Sequence, residues 1–281
     1  MISTDSAVAG NAERVSRRRD MAAELRQALA EHKLHVLYQP IVELGTEPSG
    51  LGGAMDRRAG VETLVRWNHR IRGAVSPLEF IGVAEECGLV RELCDFVLNT
   101  ACRQFVEWQE ALGFSAPQRL AVNLSRAELM QDGFVASVRD ILDSTAMPAD
   151  QLQFEVRESL VMQDAAAQSR LRELKTLGLT LALDNFGVGY SSLVRLHQLP
   201  VDVINIDRSF FNEAVASVHH RVLIDAIVRV ANSLHMNTVA EGIETEVQLA
   251  IARHAGCREG QGFFFSEAMS AANLEQWLTA D

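Results

Sequence analysis

The stretch of sequence that decides the fold lies between residues 152 and 184 and reads LQFEVRESLVMQDAAAQSRLRELKTLGLTLALD. It contains two short apolar runs, LQFEV at its start and LTLALD at its end. Between them, Ala165–Leu177 carries apolar side chains at helical spacing. A strand, a helix and a second strand in this order favour a parallel β-sheet covered by helices.

The same alternation of short and long segments extends in both directions. Six more apolar runs are strand-sized: HVLYQP, VETLVRW and RLAVNLS on the amino-terminal side, and DVINI, MNTVA and REGQGFFF on the carboxyl-terminal side. The remaining segments with helical periodicity are Glu92–Leu112, Val135–Thr145, Arg221–Leu234 and Glu246–His254. Eight strands that alternate with helices predict an α/β fold of the (β/α)8 barrel type.

The amino-terminal end and one loop stand apart from this pattern. Residues 1–20 are rich in Ala, Ser and Arg without a strong period, which predicts a tail or an interdomain linker. Apolar residues at helical spacing then predict a short helix before the first strand: Met21, Leu25 and Leu29. Residues 21–281 are expected to form the barrel domain. The first two strands are joined by a glycine-rich stretch, residues 45–60, and could instead form a hairpin.

Composition and charge exclude several classes of protein. The chain has 281 residues, of which 48% are hydrophobic, so it can bury a sizeable core. A net charge of −11 leaves no broad basic face for a nucleic acid polymer or an anionic bilayer. No apolar run is long enough to span a membrane, and the four cysteines form no CxxC pair. These features predict a cytoplasmic protein without a membrane segment.

Polar side chains lie in or directly after most of the predicted strands. They are Glu62, Asn123, Glu155, Asp184, Asn205, Glu241 and Gln261. Any one of them alone is more simply read as a helix cap or a solvent-facing residue. Active sites of soluble barrels, however, lie at the carboxyl ends of the strands, so these side chains are expected to meet there.

Closing the barrel would bring the four carboxylates of this set close together. Like charges at short range repel, so such a cluster needs cations. Carboxylate and amide oxygens suit hard divalent ions such as magnesium, manganese or calcium, and no cysteine or histidine set favours zinc. The sequence therefore predicts a divalent metal site.

The segment DNFGVGYSSL, residues 184–193, follows one of these strands. Gly187 and Gly189 permit a tight or left-handed backbone, and such a loop can present its amides to phosphate. An ordinary turn before a helix explains the same pattern, so the segment alone does not decide between the two.

At these residues the chain resembles the EAL family of bacterial cyclic di-GMP phosphodiesterases. The resemblance runs from about Leu25 to the carboxyl terminus. Its matching pieces occur in family order: YQPIVEL, GVETLVRW, SPLEFIGVAEECGLV, VNLS, FEVRES, LDNFGVGYSSLVRLHQLPVDVINID, VAEGIET and QGFFFS. The resemblance implies a barrel whose first strand is antiparallel, with cyclic di-GMP bound across the strand ends. It also implies two divalent metals that activate water for phosphodiester cleavage.

The resemblance also implies a role for individual residues. The first-metal ligands would be Glu62, Asn123, Glu155 and Asp184, with Asp184 also bridging to a second metal bound by Glu241. Gln261 would lie near the catalytic water. The residues that would contact the nucleotide are Gln39, Leu64 and Arg66, with Arg66 suited to a phosphate oxygen. Those that would hold the glycine-bearing loop or the metal shell are Glu158 and Glu244.

Two departures from the family pattern concern charged positions. The family loop begins Asp-Asp-Phe-Gly, whereas this chain has Asn185 in place of the second carboxylate. The family sequence Lys-Ile-Asp reads Asn205, Ile206, Asp207 here. A change of the middle residue of Glu62-Thr63-Leu64 keeps the ligand and the leucine and means little. Losing one preorganised electrostatic group typically costs a hundredfold or more in rate, so turnover is expected to be impaired.

These features predict a catalytically impaired EAL domain that acts as a cyclic di-GMP receptor or an interaction module. An active phosphodiesterase that produces pGpG is the alternative, and a module that has also lost nucleotide binding is a third. The resemblance further implies a GGDEF or sensor domain upstream, a protein partner, and a homodimer. Apolar contact for that dimer could come from Leu193, Leu196 and Leu199, unless these side chains pack the outer layer of the barrel.

Overall fold

The computed structural model describes residues 18–45, 55–158, 160, 164–187 and 193–280, and for residues 193–195 the backbone alone. Gly189 and most of the glycine-rich stretch lie outside these ranges. The chain forms two compact units. One contains the described residues up to Val36 together with Val65–Thr100, and the other contains those of Leu37–Leu64 and Ala101–Asp281.

A nine-stranded sheet forms the centre of the fold. Its strands in chain order are β1 (Leu34–Glu43), β2 (Asp56–His69), β3 (Gly73–Val75), β4 (Leu120–Leu124), β5 (Leu152–Arg157), β6 (Thr180–Phe186), β7 (Val203–Ile206), β8 (Asn237–Ala240) and β9 (Glu259–Gly260). They lie in the order β1-β9-β8-β7-β6-β5-β4-β2-β3, and a pairing of β1 with β2 closes the ring. The predicted eight-stranded barrel is confirmed.

Strand directions confirm a second expectation. β1 pairs with β9 in the antiparallel direction, whereas β9, β8, β7, β6, β5, β4 and β2 run parallel to one another. The first strand therefore runs against the other seven, as the resemblance implied. The carboxyl ends of those seven strands consequently lie at the same end of the barrel.

The helices agree with the periodicity of the sequence. Residues 18–30 are helical (α1), and the following helices are α2 (Pro77–Cys87), α3 (Val90–Leu112), α4 (Arg126–Leu129), α5 (Phe134–Thr145), α6 (Ala165–Lys175), α7 (Arg208–Ala214), α8 (Val218–Ser233), α9 (Glu246–Ala255) and α10 (Ala271–Thr279). Short 3₁₀ turns span Gly113–Ser115, Ala149–Gln151 and Leu193–Gln198. The five amphipathic segments identified in the sequence correspond to α3, α5, α6, α8 and α9.

Two strand predictions needed correction. β3 was not predicted, and it forms a hairpin with β2 in which Trp67 lies opposite Val75. The last apolar run, REGQGFFF, contributes only Glu259–Gly260 to the sheet. The chain turns at Gly262, where a side chain would lie 2.2 Å from the backbone oxygen of Ile243. With this close backbone approach, β9 ends at Gly260, and two residues separate it from the first phenylalanine, Phe263.

Each unit has its own hydrophobic core. In the first, Leu25 on α1 belongs to one buried cluster with Trp67 and Phe80. In the second, small and β-branched side chains from five strands form a cluster: Ile41, Ala121, Ala182, Val203 and Val239. Leu196 and Leu199 are buried within the chain, which favours their packing in its outer layer over a role in a dimer contact.

A buried ion pair connects two strands that are not neighbours in the sheet. Arg119, directly before β4, forms two hydrogen bonds with Glu259, the first residue of β9. The side chains are 14% and 6% exposed. Both residues lie at the amino-terminal ends of their strands, so the pair lies at the end of the barrel opposite the predicted site.

Replacing one partner of this ion pair would leave the other charge buried without compensation. We expect Arg119→Met to lower the free energy of unfolding by about 3–5 kcal/mol. The double variant Arg119→Met, Glu259→Met should recover most of that loss, because it leaves no buried charge. Urea denaturation of both variants measures the difference. Equal destabilisation by the single and the double variant would contradict this explanation.

Candidate active site

The predicted polar residues meet at the carboxyl ends of the barrel strands. Five of them line a cavity of about 450 Å³, whereas Glu155 and Asn205 do not line it. The parallel register places Asn123 directly opposite Glu155, and strand alternation points both toward the barrel interior. The residues that line the cavity are Gln39, Glu62, Asn123, Asp184, Asn185, Asp207, Arg208, Glu241, Gly242, Glu244, Gln261, Gly262 and Phe263.

Glu62 is held by two amide side chains. Nδ2 of Asn123 donates to Oε1 of Glu62 at 2.7 Å, and Nε2 of Gln261 donates to Oε2 at 2.7 Å. Gln261 is only 5% exposed, so its amide is fixed by burial as well as by this bond. Both carboxylate oxygens of Glu62 are thus oriented by side chains from elsewhere in the barrel, Asn123 on β4 and Gln261 directly after β9.

Glu155 and Asn205 form the deepest pair of the site. Both are almost completely buried, and Nδ2 of Asn205 donates to Oε1 of Glu155 at 3.0 Å. Oδ1 of Asn205 is buried without a hydrogen-bond partner. Burying an acceptor without a partner costs free energy, so this oxygen is available to a ligand that donates a hydrogen bond or to a cation.

Asp184 and Asn185 lie at an irregularity of the sheet. The register between β6 and β7 shifts between Leu183 and Phe186, and Asn185 has a left-handed φ of 55°. Asparagine tolerates this conformation better than most residues. Its Nδ2 donates to Oδ2 of Asp184 at 2.5 Å. The amide of Asn185 is therefore engaged with the neighbouring carboxylate.

Burial and repulsion act together on the carboxylates. Burial raises the pKa of Glu155 well above its ordinary value, and the charges of Glu62 and Asp184 raise it further. The pKa of Glu241 is raised in the same way, first by burial and then by Asp184 and Glu155. Burial also raises the pKa of Asp184. Ionised together, these groups destabilise one another unless a cation neutralises them.

The glycine-bearing loop is attached to β5 through Glu158. Glu158 is buried, and one of its carboxylate oxygens accepts a hydrogen bond from the amide of Gly187 at 3.3 Å. This contact agrees with the role that the resemblance implied for Glu158, which remains a prediction. Gly189 follows outside the described residues.

The remaining predicted residues divide into two groups. Gln39 and Glu244 line the cavity, and Nε2 of Gln39 donates to the carbonyl of Ser266 at 3.2 Å. Leu64 is half-buried and does not line the cavity. Arg66 is half-buried in the other unit, where Nη1 donates to the carbonyl of Val65 at 3.0 Å.

Several cavity-lining residues were missed when the sequence was interpreted. They are Asp207, Arg208, Gly242, Gly262 and Phe263. Asp207, Gly242, Gly262 and Phe263 lie within the motifs VINID, VAEGIET and QGFFFS, and Arg208 directly follows the first of these motifs, so the motifs held the signal. Arg208 is the basic residue among the side chains that line the cavity in the described part of the chain.

The donor set can be compared with the needs of a divalent cation. Four carboxylates, the amide side chains and the unpartnered oxygen of Asn205 are all oxygen ligands, which fits a hard ion. Among the described residues, no three acidic, histidine or cysteine side chains gather closely enough to hold one ion as they stand. Each carboxylate of Glu62, Glu155 and Asp184 is instead bonded to an amide. The chemistry of these side chains fits a divalent cation, which would replace the amide groups as their partner.

The fold and the site together define the class of protein. It is an α/β barrel with carboxylate and amide side chains gathered at the carboxyl ends of its strands. The sequence profile of the EAL domain matches residues 22–268. The chain therefore belongs to the EAL domain family.

Similar proteins carry names from cyclic di-GMP turnover. The cyclic di-GMP phosphodiesterase NbdA of Pseudomonas aeruginosa is 38% identical over 270 residues, which cover 95% of this chain and 33% of NbdA. The bifunctional diguanylate cyclase/cyclic di-GMP phosphodiesterase MucR of the same organism is 37% identical over 252 residues, which cover 89% of this chain and 35% of MucR. The chain spans about a third of the length of these curated relatives.

Solved structures agree with the fold. A structure described as PaMucR phosphodiesterase in complex with c-di-GMP superposes with a TM-score of 0.81 at 37% identity, covering 91% of this chain and 99% of that chain. The EAL domain of Mycobacterium smegmatis DcpA superposes with a TM-score of 0.69 at 31% identity, covering 87% and 97%. In the described part of this chain, no helix is both long and apolar enough to cross a membrane.

The raised pKa of Glu155 makes the stability of the domain depend on pH. A carboxyl whose pKa is higher in the folded than in the unfolded state stabilises the fold when protonated. This contribution is complete below the ordinary value of 4.5 and is lost as the pH rises through the raised folded pKa. We therefore expect Tm, measured in EDTA, to fall as the pH rises above 4.5 and through the raised pKa of Glu155.

The neutral variant Glu155→Gln provides the control for this pH dependence. Its Tm should fall less over the same range, because it has no charge to bury at that position. Adding manganese or calcium should raise the Tm of the native chain more at the upper than at the lower pH. Identical pH slopes for the two proteins would show that repulsion around Glu155 does not limit stability.

Proposed function

We propose that this chain is a cyclic di-GMP-binding EAL domain whose phosphodiesterase activity is strongly impaired, and which acts as a receptor or an interaction module. The names of NbdA and MucR and the c-di-GMP complex of PaMucR support cyclic di-GMP as the ligand class. The observation that carries the impairment is the environment of Asn205.

Asn205 occupies the position at which the family pattern has a lysine. A lysine would bring a long side chain with a positive charge, whereas Asn205 is short and neutral. Its amide hydrogen bonds to Glu155 at 3.0 Å, and the residue is 1% exposed. It therefore supplies no charge to a phosphodiester in the cavity. The loss of such a group costs on the order of a hundredfold in rate.

Asn185 removes a second charged group, a carboxylate that would contribute to cation binding. The family pattern has a carboxylate there, and an amide supplies one unit less of negative charge to a cation. Nδ2 of Asn185 already donates to Asp184, so its nitrogen faces the carboxylate that would bridge two ions. Affinity for a second cation is expected to be weaker than in family members with the full pattern.

A divalent cation at this site would be held by the oxygen ligands described above. The first ion would be held by Glu62, Asn123, Glu155 and Asp184, and a second by Glu241 with Asp184. Such an ion, when bound, polarises phosphoryl oxygens and lowers the pKa of water. Magnesium or manganese are the candidates for turnover, and calcium is a candidate for binding without turnover.

The remaining site residues would bind and orient the nucleotide. Gln39 and Glu244 line the cavity, and Leu64 and Arg66 follow Glu62 on β2. Glu158 would hold the glycine-bearing loop through the amide of Gly187, and the other amides of that loop, near Gly189, would face phosphate. Gln261 fixes one oxygen of Glu62 and would orient water near the phosphodiester.

An active phosphodiesterase that releases pGpG is the second candidate. One observation favours it: the residues expected at the first metal, together with Glu241 and Gln261, all lie at the same end of the barrel. In that case water would replace the lysine, and the oxygen of Asn185 would coordinate. A module without nucleotide binding is the third candidate.

The wider context is also part of the proposal. Residues 1–20 would link the barrel domain, residues 21–281, to a GGDEF or sensor domain in a cytoplasmic protein. The relatives are about three times longer than this chain, which agrees with such an arrangement. A homodimer or a protein partner would need a surface other than the buried Leu196 and Leu199.

Restoring the two substituted positions tests the impairment. The double variant Asn185→Asp, Asn205→Lys should hydrolyse cyclic di-GMP to pGpG with manganese on the order of a hundredfold faster than the native chain. Chromatography of the nucleotides measures both rates. Adding Glu62→Gln to the double variant should abolish product, which would locate the turnover at this site. Rapid pGpG release by the native chain would overturn the proposal.

Binding is measured separately from turnover. Isothermal titration of the native chain with cyclic di-GMP and calcium should give saturable heat, and linear pGpG serves as the control ligand. Replacing Arg66 by methionine should weaken binding about tenfold or more, because a charge-assisted contact to phosphate is lost. If the native chain showed no binding, the receptor would be excluded and the interaction module without nucleotide would remain.

A further inference from the structure

The first turn of α7 lies between two glycines that follow neighbouring strands. α7 begins directly after β7, Gly187 follows β6, and Gly242 follows β8. β6, β7 and β8 are adjacent in the sheet. Both glycines have positive φ values, 102° at Gly187 and 65° at Gly242. Each is a position where the backbone passes close to another part of the chain.

The aromatic ring of Phe210 lies against the backbone of Gly187. A Cβ atom on Gly187 would be 2.3 Å from Cε2 and 2.4 Å from Cζ of this ring. No side chain fits there unless the ring moves. Phe210 therefore packs against the residue that directly follows β6, the strand that carries Asp184 and Asn185, while the amide of Gly187 donates to Glu158.

Arg208 makes the corresponding contact with Gly242. A Cβ atom on Gly242 would lie 2.3 Å from Cβ and 3.4 Å from Cα of Arg208. Residues two positions apart on a helix point about 200° apart, so Arg208 and Phe210 face opposite sides of the same turn. That turn consequently contacts Gly187, three residues after Asp184, on one side. On the other side it contacts Gly242, the residue after Glu241.

Phe210 is itself supported by the beginning of α8. Its ring lies 6.3 Å from the ring of His220 in an edge-to-face arrangement of 70°. His220 is held by Ser217 through Nδ1 and by Glu213 through Nε2, both at 3.1 Å. A fixed neighbour limits the movement of the phenylalanine away from Gly187.

We propose that the turn Arg208–Phe210 acts as a wedge that sets the spacing between the segments of Asp184 and Glu241, with Phe210 as the positioning residue for Asp184 and Asn185. A glycine without this neighbour has access to many more backbone conformations. By restricting Gly187 before a ligand binds, the wedge lowers the conformational entropy that is lost on binding. The inference rests on the proposed function only in using cyclic di-GMP as a ligand probe.

Hydrogen exchange tests the wedge without any ligand. Mass spectrometry of Phe210→Ala should show amide exchange roughly tenfold faster in the peptide covering residues 181–187 than in the native chain. Phe134→Leu provides a control that shrinks another aromatic ring, which packs on Phe154. Its exchange at residues 181–187 should stay at the native rate. Unchanged exchange there in Phe210→Ala, or an equal increase over the whole barrel, would overturn the proposal.

A double-mutant cycle tests the contact itself. Gly187→Ala should destabilise the native chain, because the new methyl group meets the ring and φ is strained. The same change should cost less in the Phe210→Ala background, where the ring is absent. Additive effects would show that the ring does not confine Gly187. Phe210→Leu repeats the measurement with a smaller loss of volume in case Phe210→Ala unfolds.

Ligand binding separates this inference from the proposed function. With calcium present, Phe210→Leu should bind cyclic di-GMP about tenfold more weakly than the native chain at equal folded fraction, whereas Phe134→Leu should bind as the native chain does. Native-like affinity in Phe210→Leu would contradict a positioning role. If the native chain bound no cyclic di-GMP, the proposed function would be wrong. Hydrogen exchange would still test the positioning role of Phe210, because that measurement uses no ligand.

Discussion

The crowding of buried carboxylates at one end of a closed barrel is the constraint on which the rest of the site depends. Parallel strands bring their carboxyl ends to the same place, so these groups cannot separate without opening the sheet. Burial and mutual repulsion raise the pKa of Glu155 and Glu241. Amide groups are packed around the carboxylates, and each amide donates a hydrogen bond where a second negative charge would repel.

The two asparagines fit into this balance of charge. Relative to the family pattern, Asn185 removes one negative charge and Asn205 removes one positive charge, so together they leave the net charge unchanged. Each donates its Nδ2 to a carboxylate, Asp184 in one case and Glu155 in the other. Both positions therefore carry uncharged side chains, and our proposal that this chain separates binding from turnover rests on this difference from the family pattern.

The positions of the acidic segments depend on close packing as much as on charge. Gly187 and Gly242 allow the turn after β7 to lie directly against the loops after β6 and β8. Glu158, directly after β5, accepts a hydrogen bond from the amide of Gly187 in the first of these loops. The charge of the carboxylates therefore determines the site's attraction for cations. The contacts at Gly187 and Gly242 determine the positions of the neighbouring acidic residues.

The sequence by itself determined the barrel, the parallel strands and the set of polar residues at their ends, because these follow from short-range periodicity and from the motifs. It did not show that β9 ends at Gly260, because the turn that follows depends on the distant backbone of Ile243. It also did not show the local hairpin of β2 and β3, because β3 has only three residues. Only the tertiary structure showed that Asn205 bonds to Glu155, that Asn185 is left-handed, and that Phe210 confines Gly187. Such contacts join residues far apart in the chain, and their geometry is set by strand register and packing rather than by local sequence.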